Sequence, residues 1–220
     1  MPRPLDLLPF LLSGAVVTVE LTAGAAGVAC VAAFLAGLGR LSRRRPVRWL
    51  AGTYVEAFRG TSALVQLFWA YFALPLVGVS LDAMTAGVLA LGLNTGAYGA
   101  EVVRGAVRAV PQGQHEAALA LNLTNAQKMR YVILPQALVA ALPPAGNLLI
   151  EMLKNTSLVS LITISELTFR GQTLRAETLR TVEIFGLLLV VYFLLALLIT
   201  SGVRALERRL SFGMDRGGGR

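Results

Sequence analysis

The sequence predicts an all-α integral membrane protein, and its composition supports this fold class. Of the 220 residues, 55% are hydrophobic and only 15% are charged, whereas soluble domains carry about 25% charged residues. Five stretches lack Asp, Glu, Lys and Arg, and each has about the 20 residues that a helix needs to cross a bilayer. The alternating pattern of outer-membrane barrel strands is absent from the sequence.

We predict one domain over residues 1–220, with transmembrane helices at about 14–39, 55–77, 83–104, 134–154 and 183–205. Residues 155–165 are too few to cross the membrane and include Asn155, Thr156, Ser157 and Ser160, so we expect an interfacial or re-entrant segment there. Residues 105–133 are predicted to form a cytoplasmic loop, and 166–183 an ordered polar connection on the outer side. The glycine-rich residues 212–220 are predicted to be a disordered tail.

Basic residues set the expected orientation. They cluster at 40–48, at 104–130 and at 204–220, after the first, third and fifth predicted helices. Five crossings place all three clusters on one side of the membrane, which the positive-inside rule assigns to the cytoplasm. We therefore expect the N-terminus outside and the C-terminus in the cytoplasm. The net charge of +8 then indicates a membrane surface rather than nucleic acid.

Two of the predicted helices carry residues that affect packing or shape. The first has nine Gly and Ala residues between positions 24 and 37, and small residues let membrane helices approach closely. Pro143 and Pro144 lie inside the fourth helix and predict a kink or a break. Cys30 is the only cysteine, so we expect it to have a packing role rather than to form a disulfide or a metal site.

A polar segment between the third and fourth helices has the signals of a helical hairpin. Pro111 suits the first position of a helix, and Asn122 suits a left-handed stop at its end. Thr124 and Gln127 match the capping box that begins a further helix. These signals predict two short helices, joined at an Asn-Leu-Thr corner, that lie along the cytoplasmic surface.

The hairpin also carries a motif with fixed spacing. Glu116, Ala117 and Ala118 are followed after three residues by Asn122, and after nine more by Val-Ile-Leu-Pro at 132–135. This pattern resembles the EAA loop in the permease subunits of type I ABC importers. The family motif has Gly where this chain has Asn122, and Ile where it has the Val of Val-Ile-Leu-Pro. Asn is the next-best residue for a left-handed corner, so the first departure is mild.

The resemblance extends over about residues 18–209. It is carried by YVEAFRGTSALVQLFWAYFALP, LNTGAYGAEVVRGAVRAVPQGQHEAA, LPQALVAALPPAGN and LKNTSLVSLITISEL. These segments are similar to the branch that imports polar amino acids, of the histidine, glutamine and arginine type. FRGTSALVQLFW and NLLIEMLKNTSL lean toward its ectoine and hydroxyectoine subgroup. The resemblance implies a pathway for a polar amino acid or a related small zwitterion.

The same resemblance implies a bacterial inner membrane location and a set of partners. These are two cytoplasmic ATP-binding subunits, a second permease subunit that is identical or paralogous, an external solute-binding protein and membrane lipid, with no nucleic acid. The sequence has no Gly-x-x-x-x-Gly-Lys-Ser/Thr loop, so ATP and Mg²⁺ are expected on the partner ATPase. We expect no cofactor and no metal in this chain.

The residues that the motif assigns to ATPase coupling are Pro111, Gln114, Glu116, Ala117, Ala118, Asn122, Leu134 and Pro135. Alanines let a helix seat closely in a groove, and Glu116 can accept charge-assisted hydrogen bonds from a partner. The alternative is an ordinary surface hairpin. His115, the only histidine, adjoins the motif, and we expect a helix-surface residue rather than a proton switch.

Candidates for the substrate pathway are polar residues of the predicted spans, namely Asn94, Thr95, Asn147, Glu151 and Lys154. Ionisable residues within a membrane are costly and mark functional sites. Glu151 and Lys154 are three apart on one helix, so an ion pair between them is an open alternative. For the other three, a hydrogen bond between helices is equally open.

Structural ion pairs are expected at the cytoplasmic interface. Glu101 lies three residues before Arg104, and Glu56 three residues before Arg59, which is the spacing of neighbours on one helix face.

Two other classes of function remain as alternatives. A membrane-embedded enzyme needs convergent nucleophiles, bases or metal ligands, and the sequence offers one His, one Cys and no paired carboxylates at catalytic spacing. We therefore assign no catalytic residues. A stand-alone ion-coupled carrier is the other alternative, although five helices are few for such a carrier and no inverted repeat is visible.

Overall fold

The structure is a computed structural model that describes residues 8–211, so the predicted tail at 212–220 lies outside the described residues. The described part is helical and contains no β-strand, which confirms the all-α prediction. The helices are α1 Leu8–Arg40, α2 Arg45–Arg59, α3 Ala63–Phe68, α4 Ala83–Ala109, α5 Gln112–Ala120, α6 Asn125–Gln127, α7 Leu134–Asn155, α8 Leu167–Thr178 and α9 Thr181–Ser211. Tighter or wider helical turns follow α3 (π, Trp69–Ala73; 3₁₀, Leu74–Val77), join α6 to α7 (π, Lys128–Ile133) and follow α7 (3₁₀, Thr156–Ile162).

Helix α1 packs closely along α4, as its small residues predict. A Cβ atom added at Gly92 of α4 would lie 2.7 Å from Val28 Cβ, and one added at Gly96 would lie 2.7 Å from Ala32 Cβ. Because these separations are far shorter than van der Waals contact, only glycine lets the two backbones approach this closely. A buried apolar core, including Leu21, Ala25, Ala86, Ala90 and Leu91, fills the adjoining space.

Residues 55–77, predicted as one transmembrane helix, form a broken element. The direction of the chain changes by 102° between α2 and the segment Ala63–Val77. At the break, Gln66 Nε2 donates hydrogen bonds to the Phe58 carbonyl oxygen at 2.9 Å and to Thr61 Oγ1 at 2.6 Å. These side-chain bonds replace the interrupted backbone ladder, which is why the chain can turn here inside an apolar segment.

The prediction of two short surface helices is correct only for the first. α6, the π-helical turn and α7 follow one another directly, and residues 125–162 form one helical segment of 38 residues. Pro143 and Pro144 lie inside α7, which does not break there. The irregular backbone falls instead at the π-helical turn Lys128–Ile133.

The connection between α7 and α9 is helical. Thr163, with φ 69°, ends the 3₁₀ segment, and Glu166 caps α8 by accepting hydrogen bonds from backbone N–H groups. Leu179, with φ 59°, ends α8, and α9 starts two residues later. The interfacial segment expected at 155–165 is therefore a 3₁₀ helix, and the ordered connection expected after it is mostly α8.

Several described helices can cross a bilayer. α1, the segment 125–162 and α9 are long and apolar enough, and the bent pair of α2 with Ala63–Val77 provides one more. α4 has 27 residues, which is about 40 Å of helix and also sufficient in length. These elements are compatible with the predicted five spans, and each predicted span other than 55–77 lies within one helix.

Candidate functional site

The candidate coupling hairpin consists of α5, the turn at 121–124 and α6. Asn122 has φ 54°, so the predicted left-handed stop is confirmed. Its N–H donates to the Leu119 carbonyl oxygen at 2.9 Å, and the Leu123 N–H donates to the Ala118 carbonyl oxygen at 3.1 Å. This pair of hydrogen bonds is the Schellman motif that closes a helix C-terminus.

A second local motif fixes the far side of the turn. The Gln127 N–H donates to Thr124 Oγ1 at 3.3 Å, and the Thr124 N–H donates to Gln127 Oε1 at 2.9 Å. The predicted capping box is thus confirmed. Pro111 is the N-cap of α5 rather than its first residue, which shifts the predicted start by one position.

A side-chain hydrogen bond ties the hairpin to α7. Gln136 Nε2 on α7 donates a hydrogen bond to Gln114 Oε1 on α5 at 3.3 Å. On either side of the hairpin in the sequence, a buried apolar cluster joins the end of α4 to the π-helical turn and the start of α7, and its members are Ala106, Val107, Val110, Ile133, Ala137 and Ala141. A shift of α5 would therefore strain its hydrogen bond to α7.

The outer face of α5 is open. Glu116 and Ala117 are exposed, whereas Ala118 is buried against the fold. Leu119 and Leu121 are 57% and 73% exposed. Two exposed leucines beside a carboxylate give this face the mixed character of a protein interface.

The remaining coupling candidates lie around the same hairpin. Pro111, Gln114 and Asn122 are exposed, while Leu134 is half-buried and Pro135 exposed in the first turn of α7. The structure thus brings the predicted coupling residues together at one end of α7. His115 is partly buried on α5.

The structure places two of the pathway candidates in the fold's interior. Asn94 is buried, and its Nδ2 donates hydrogen bonds to the Phe58 carbonyl oxygen at 3.1 Å and to Gln66 Oε1 at 3.0 Å. Asn94 therefore stabilises the break between α2 and α3. Thr95 lines an apolar cavity of about 360 Å³ between α1, α4 and α7, and Cys30 is exposed in the same cavity.

The other three candidates share one face of α7. Asn147, Glu151 and Lys154 are exposed and lie three or four residues apart, so they form a polar stripe along the helix. Within the part of the chain that the structure describes, no ion pair joins Glu151 to Lys154. The ion pair that the sequence left open is therefore not formed in this structure.

Ion pairs hold the end of α1 to α2 and α4. Arg40 Nη1 lies 3.0 Å from Glu56 Oε1 and 3.0 Å from Glu101 Oε1, and Arg104 pairs with Glu101. The predicted pair of Glu101 with Arg104 is confirmed. The predicted pair of Glu56 with Arg59 is wrong, because Glu56 turns to α1 and Arg59 lies over an aromatic ring.

A buried polar cluster at the junction of α1, α8 and α9 was missed by the sequence analysis. Glu166 accepts hydrogen bonds from the N–H groups of Thr168 and Phe169, both at 2.8 Å, and from the Tyr192 hydroxyl at 3.0 Å. The Thr18 hydroxyl lies 3.4 Å away. Burial raises the pKa of the Glu166 carboxyl, and these hydrogen bonds act in the opposite direction.

Comparisons with known proteins identify relatives over most of the chain. The "Probable amino-acid ABC transporter permease protein y4tF" of Sinorhizobium fredii is 45% identical over 200 residues, which are 88% of this chain and 84% of the relative. The "Glutamine transport system permease protein GlnP" of Escherichia coli is 38% identical over 205 residues, which are 92% of this chain and 94% of the relative.

A solved structure and a family model agree with these relatives. The "Crystal structure of an amino acid ABC transporter with histidines" matches with a TM-score of 0.86 and 36% identity, over 95% of this chain and 99% of that chain. Residues 29–212 match the model of the family described as "Binding-protein-dependent transport system inner membrane component". The chain therefore belongs to this family of membrane transport components, which are permeases and not enzymes.

Proposed function

We propose that the chain is the permease subunit of an ATP-driven importer for a polar amino acid, and that α5 couples it to a cytoplasmic ATPase. The observation that carries the proposal is the attachment of an exposed helix to a long membrane helix. α5 presents an open face, and the Gln114–Gln136 hydrogen bond ties it to α7.

The face of α5 suits a groove on a partner. Ala117 adds little bulk, Glu116 can accept charge-assisted hydrogen bonds from the partner's basic or amide groups, and the exposed Leu119 supplies apolar contact. Asn122 and the Schellman hydrogen bonds hold the end of α5 in one conformation. A preformed helix end lowers the entropic cost of docking.

Movement of α5 would reach the pathway through α7. α7 has 22 residues, or about 33 Å of helix, and it runs from Leu134 beside the hairpin to Asn155 beyond the polar stripe. A rigid helix transmits a displacement at one end to the other. Closure of an ATPase pair upon ATP binding would therefore rock α7 and expose the stripe alternately to the two sides of the membrane.

The polar stripe of Asn147, Glu151 and Lys154 is our candidate for contact with substrate. Charged side chains facing lipid are costly, so this face must border a water-filled path or a second permease subunit. A zwitterionic amino acid carries both signs of charge and complements a carboxylate and an ammonium group one turn apart. Asn94 and Thr95 remain secondary candidates on α4.

The substrate class rests on the relatives. Two of them are named for amino acid and glutamine transport, and the similar solved structure is titled an amino acid ABC transporter. These names favour an amino acid, and ectoine or hydroxyectoine stays a prediction from the sequence. The external solute-binding protein would make the selection, and two ATPase subunits would bind ATP and Mg²⁺.

A charge reversal on α5 tests the coupling. We expect Glu116→Lys to insert normally, to lose binding of the ATPase in detergent co-purification and to abolish ATP-driven uptake, because a lysine repels the donors that the carboxylate attracts. Glu177→Lys is the matched control, since Glu177 is exposed on α8 at the other end of the molecule. Wild-type uptake by Glu116→Lys would refute the coupling role.

Substitutions in the stripe test the pathway separately. We expect Glu151→Gln and Lys154→Met each to reduce uptake while ATPase binding is retained, because the hairpin is unchanged. Wild-type uptake by both variants would remove the stripe from the pathway and would leave the coupling role of α5 standing.

A further inference from the structure

Four arginines at the start of α2 form an unpaired basic surface. Arg43, Arg44, Arg45 and Arg48 are all exposed, and among residues 8–211 none of their guanidinium groups takes part in an ion pair. Arg40 differs, because it is held by two carboxylates. We call the four arginines, together with Trp49, the α2 basic surface.

Large apolar side chains lie beside these charges. Trp49 is 72% exposed and Leu50 is 67% exposed. An open depression of about 720 Å³ is lined by Arg45, Arg48, Trp49, Gly52 and Glu56, among others, and Glu56 is paired with Arg40. Basic residues next to exposed Trp and Leu on an amphipathic helix are typical of segments that lie at a membrane interface.

The position of α2 agrees with this interpretation. A Cβ atom added at Gly39 would lie 2.9 Å from Ala51 Cβ, so the first turns of α2 lie beside the end of α1. The basic surface therefore lies where α1 ends and α2 begins. Guanidinium groups at this level can reach lipid phosphates, and Trp49 can lie among the headgroups.

We infer that the α2 basic surface binds the headgroup of an anionic phospholipid in the cytoplasmic leaflet. The inference rests on the proposed function only in placing this surface on the cytoplasmic side of the membrane. Arginine forks match phosphate oxygens in a bidentate manner. Four unpaired arginines beside a single carboxylate, Glu56, which is itself paired with Arg40, favour a negatively charged lipid over a zwitterionic one. The exposed Trp49 and Leu50 favour lipid over a soluble acidic partner.

The two tryptophans of the chain, Trp49 and Trp69, allow a direct test. In Trp69→Phe, fluorescence reports Trp49 alone, and in Trp49→Phe it reports Trp69 alone. The full chain would be reconstituted with dibrominated phosphatidylglycerol or dibrominated phosphatidylcholine, whose bromines quench nearby indoles. We expect the mole fraction of lipid that half-quenches Trp49 to be at least about fivefold lower for phosphatidylglycerol than for phosphatidylcholine. A factor of about five is the contribution of one arginine near an anionic surface. Trp69 should show no such preference.

Two triple variants, made in the Trp69→Phe background, remove equal charge from different places. Arg44→Gln/Arg45→Gln/Arg48→Gln should lower the preference at Trp49 to at most the roughly fivefold contribution of the remaining Arg43, since the three contributions removed amount to a factor on the order of 10². The matched control is R204Q/R208Q/R209Q on α9, whose three arginines are also exposed. It should retain the preference, and circular dichroism should show equal helix content in both variants.

Several results would overturn the inference. They are equal quenching of Trp49 by both lipids, equal loss in both triple variants, and abolition of the preference by millimolar inorganic phosphate, which would indicate a free anion as the occupant. Loss of ATPase binding in the α2 variant with unchanged lipid preference would assign the surface to a protein partner. Because quenching requires neither ATPase nor substrate, its failure is distinguishable from failure of the proposed transport function.

Discussion

Replacing Gly96 by alanine should separate α1 from α4 and destabilise the bundle. A Cβ atom at Gly96 would lie 2.7 Å from Ala32 Cβ, 3.1 Å from Tyr54 Oη and 3.2 Å from the Ala29 carbonyl oxygen. Carbon atoms in contact lie about 3.5–4.0 Å apart, so the helices must move apart by about 1 Å. Overpacking of this kind costs about 1–3 kcal/mol.

Gly105→Ala on the same helix is the matched control for this change. A Cβ atom at Gly105 has no neighbour within 4 Å, so that variant receives only the higher helix propensity of alanine, which Gly96→Ala receives as well. The difference in unfolding free energy between the two variants therefore isolates the steric cost. It can be measured by titrating purified protein in mixed micelles with dodecyl sulfate. Equal stabilities would refute the close approach of α1 and α4.

Three further changes probe the polar groups of the fold. Burial raises the pKa of Glu166, so the folded state favours the protonated carboxyl. The free energy of unfolding should therefore fall as the pH rises from the ordinary glutamate pKa of about 4.3 toward the raised pKa. Urea unfolding between pH 4 and 8 should show this fall for the wild type and not for Glu166→Gln. Asn94→Leu should cost about 1–3 kcal/mol in the same assay, because Gln66 Oε1 loses its donor in an apolar setting; an unchanged midpoint would show that the break does not need this bond. Thr124→Ala should cost about 1 kcal/mol through loss of the capping box, and Thr124→Ser should recover most of it; equal midpoints for both would contradict the capping role.

The features that could be predicted from the sequence are those set by local chemistry. Apolar stretches determined where four of the long helices lie, because the bilayer imposes a length and a composition. Asn122 and the Thr124–Gln127 capping box fixed the corner of the hairpin, since both act within a few residues. Residues Glu101 and Arg104 pair within one turn of the same helix.

The features that could not be predicted depend on residues far apart in the chain. The break before α3 is stabilised by Asn94, which lies 36 residues beyond its acceptor Phe58. Glu56 on α2 pairs with Arg40 on α1, whereas the sequence favoured its near neighbour Arg59 as the partner. Residue Glu166 lies 148 residues from Thr18, so nothing local marks the cluster that joins them.

Continuity of the hairpin with α7 was also beyond the sequence. The capping box and Pro135 each suggested a separate helix at that point. A π-helical turn instead carries the chain from α6 into α7, and Pro135 closely follows that turn, so the irregular backbone accommodates the N–H that proline lacks. This continuity provides the mechanical link on which the proposed coupling depends.

The most direct test of the coupling account is uptake by proteoliposomes assembled with and without the ATPase. Vesicles would contain this chain, its partner permease if that differs, and saturating external solute-binding protein loaded with labelled glutamine or another polar amino acid. We predict uptake only when the ATPase and ATP are both present, and none with Glu116→Lys. Uptake of the labelled amino acid by the chain without any ATPase would contradict the account.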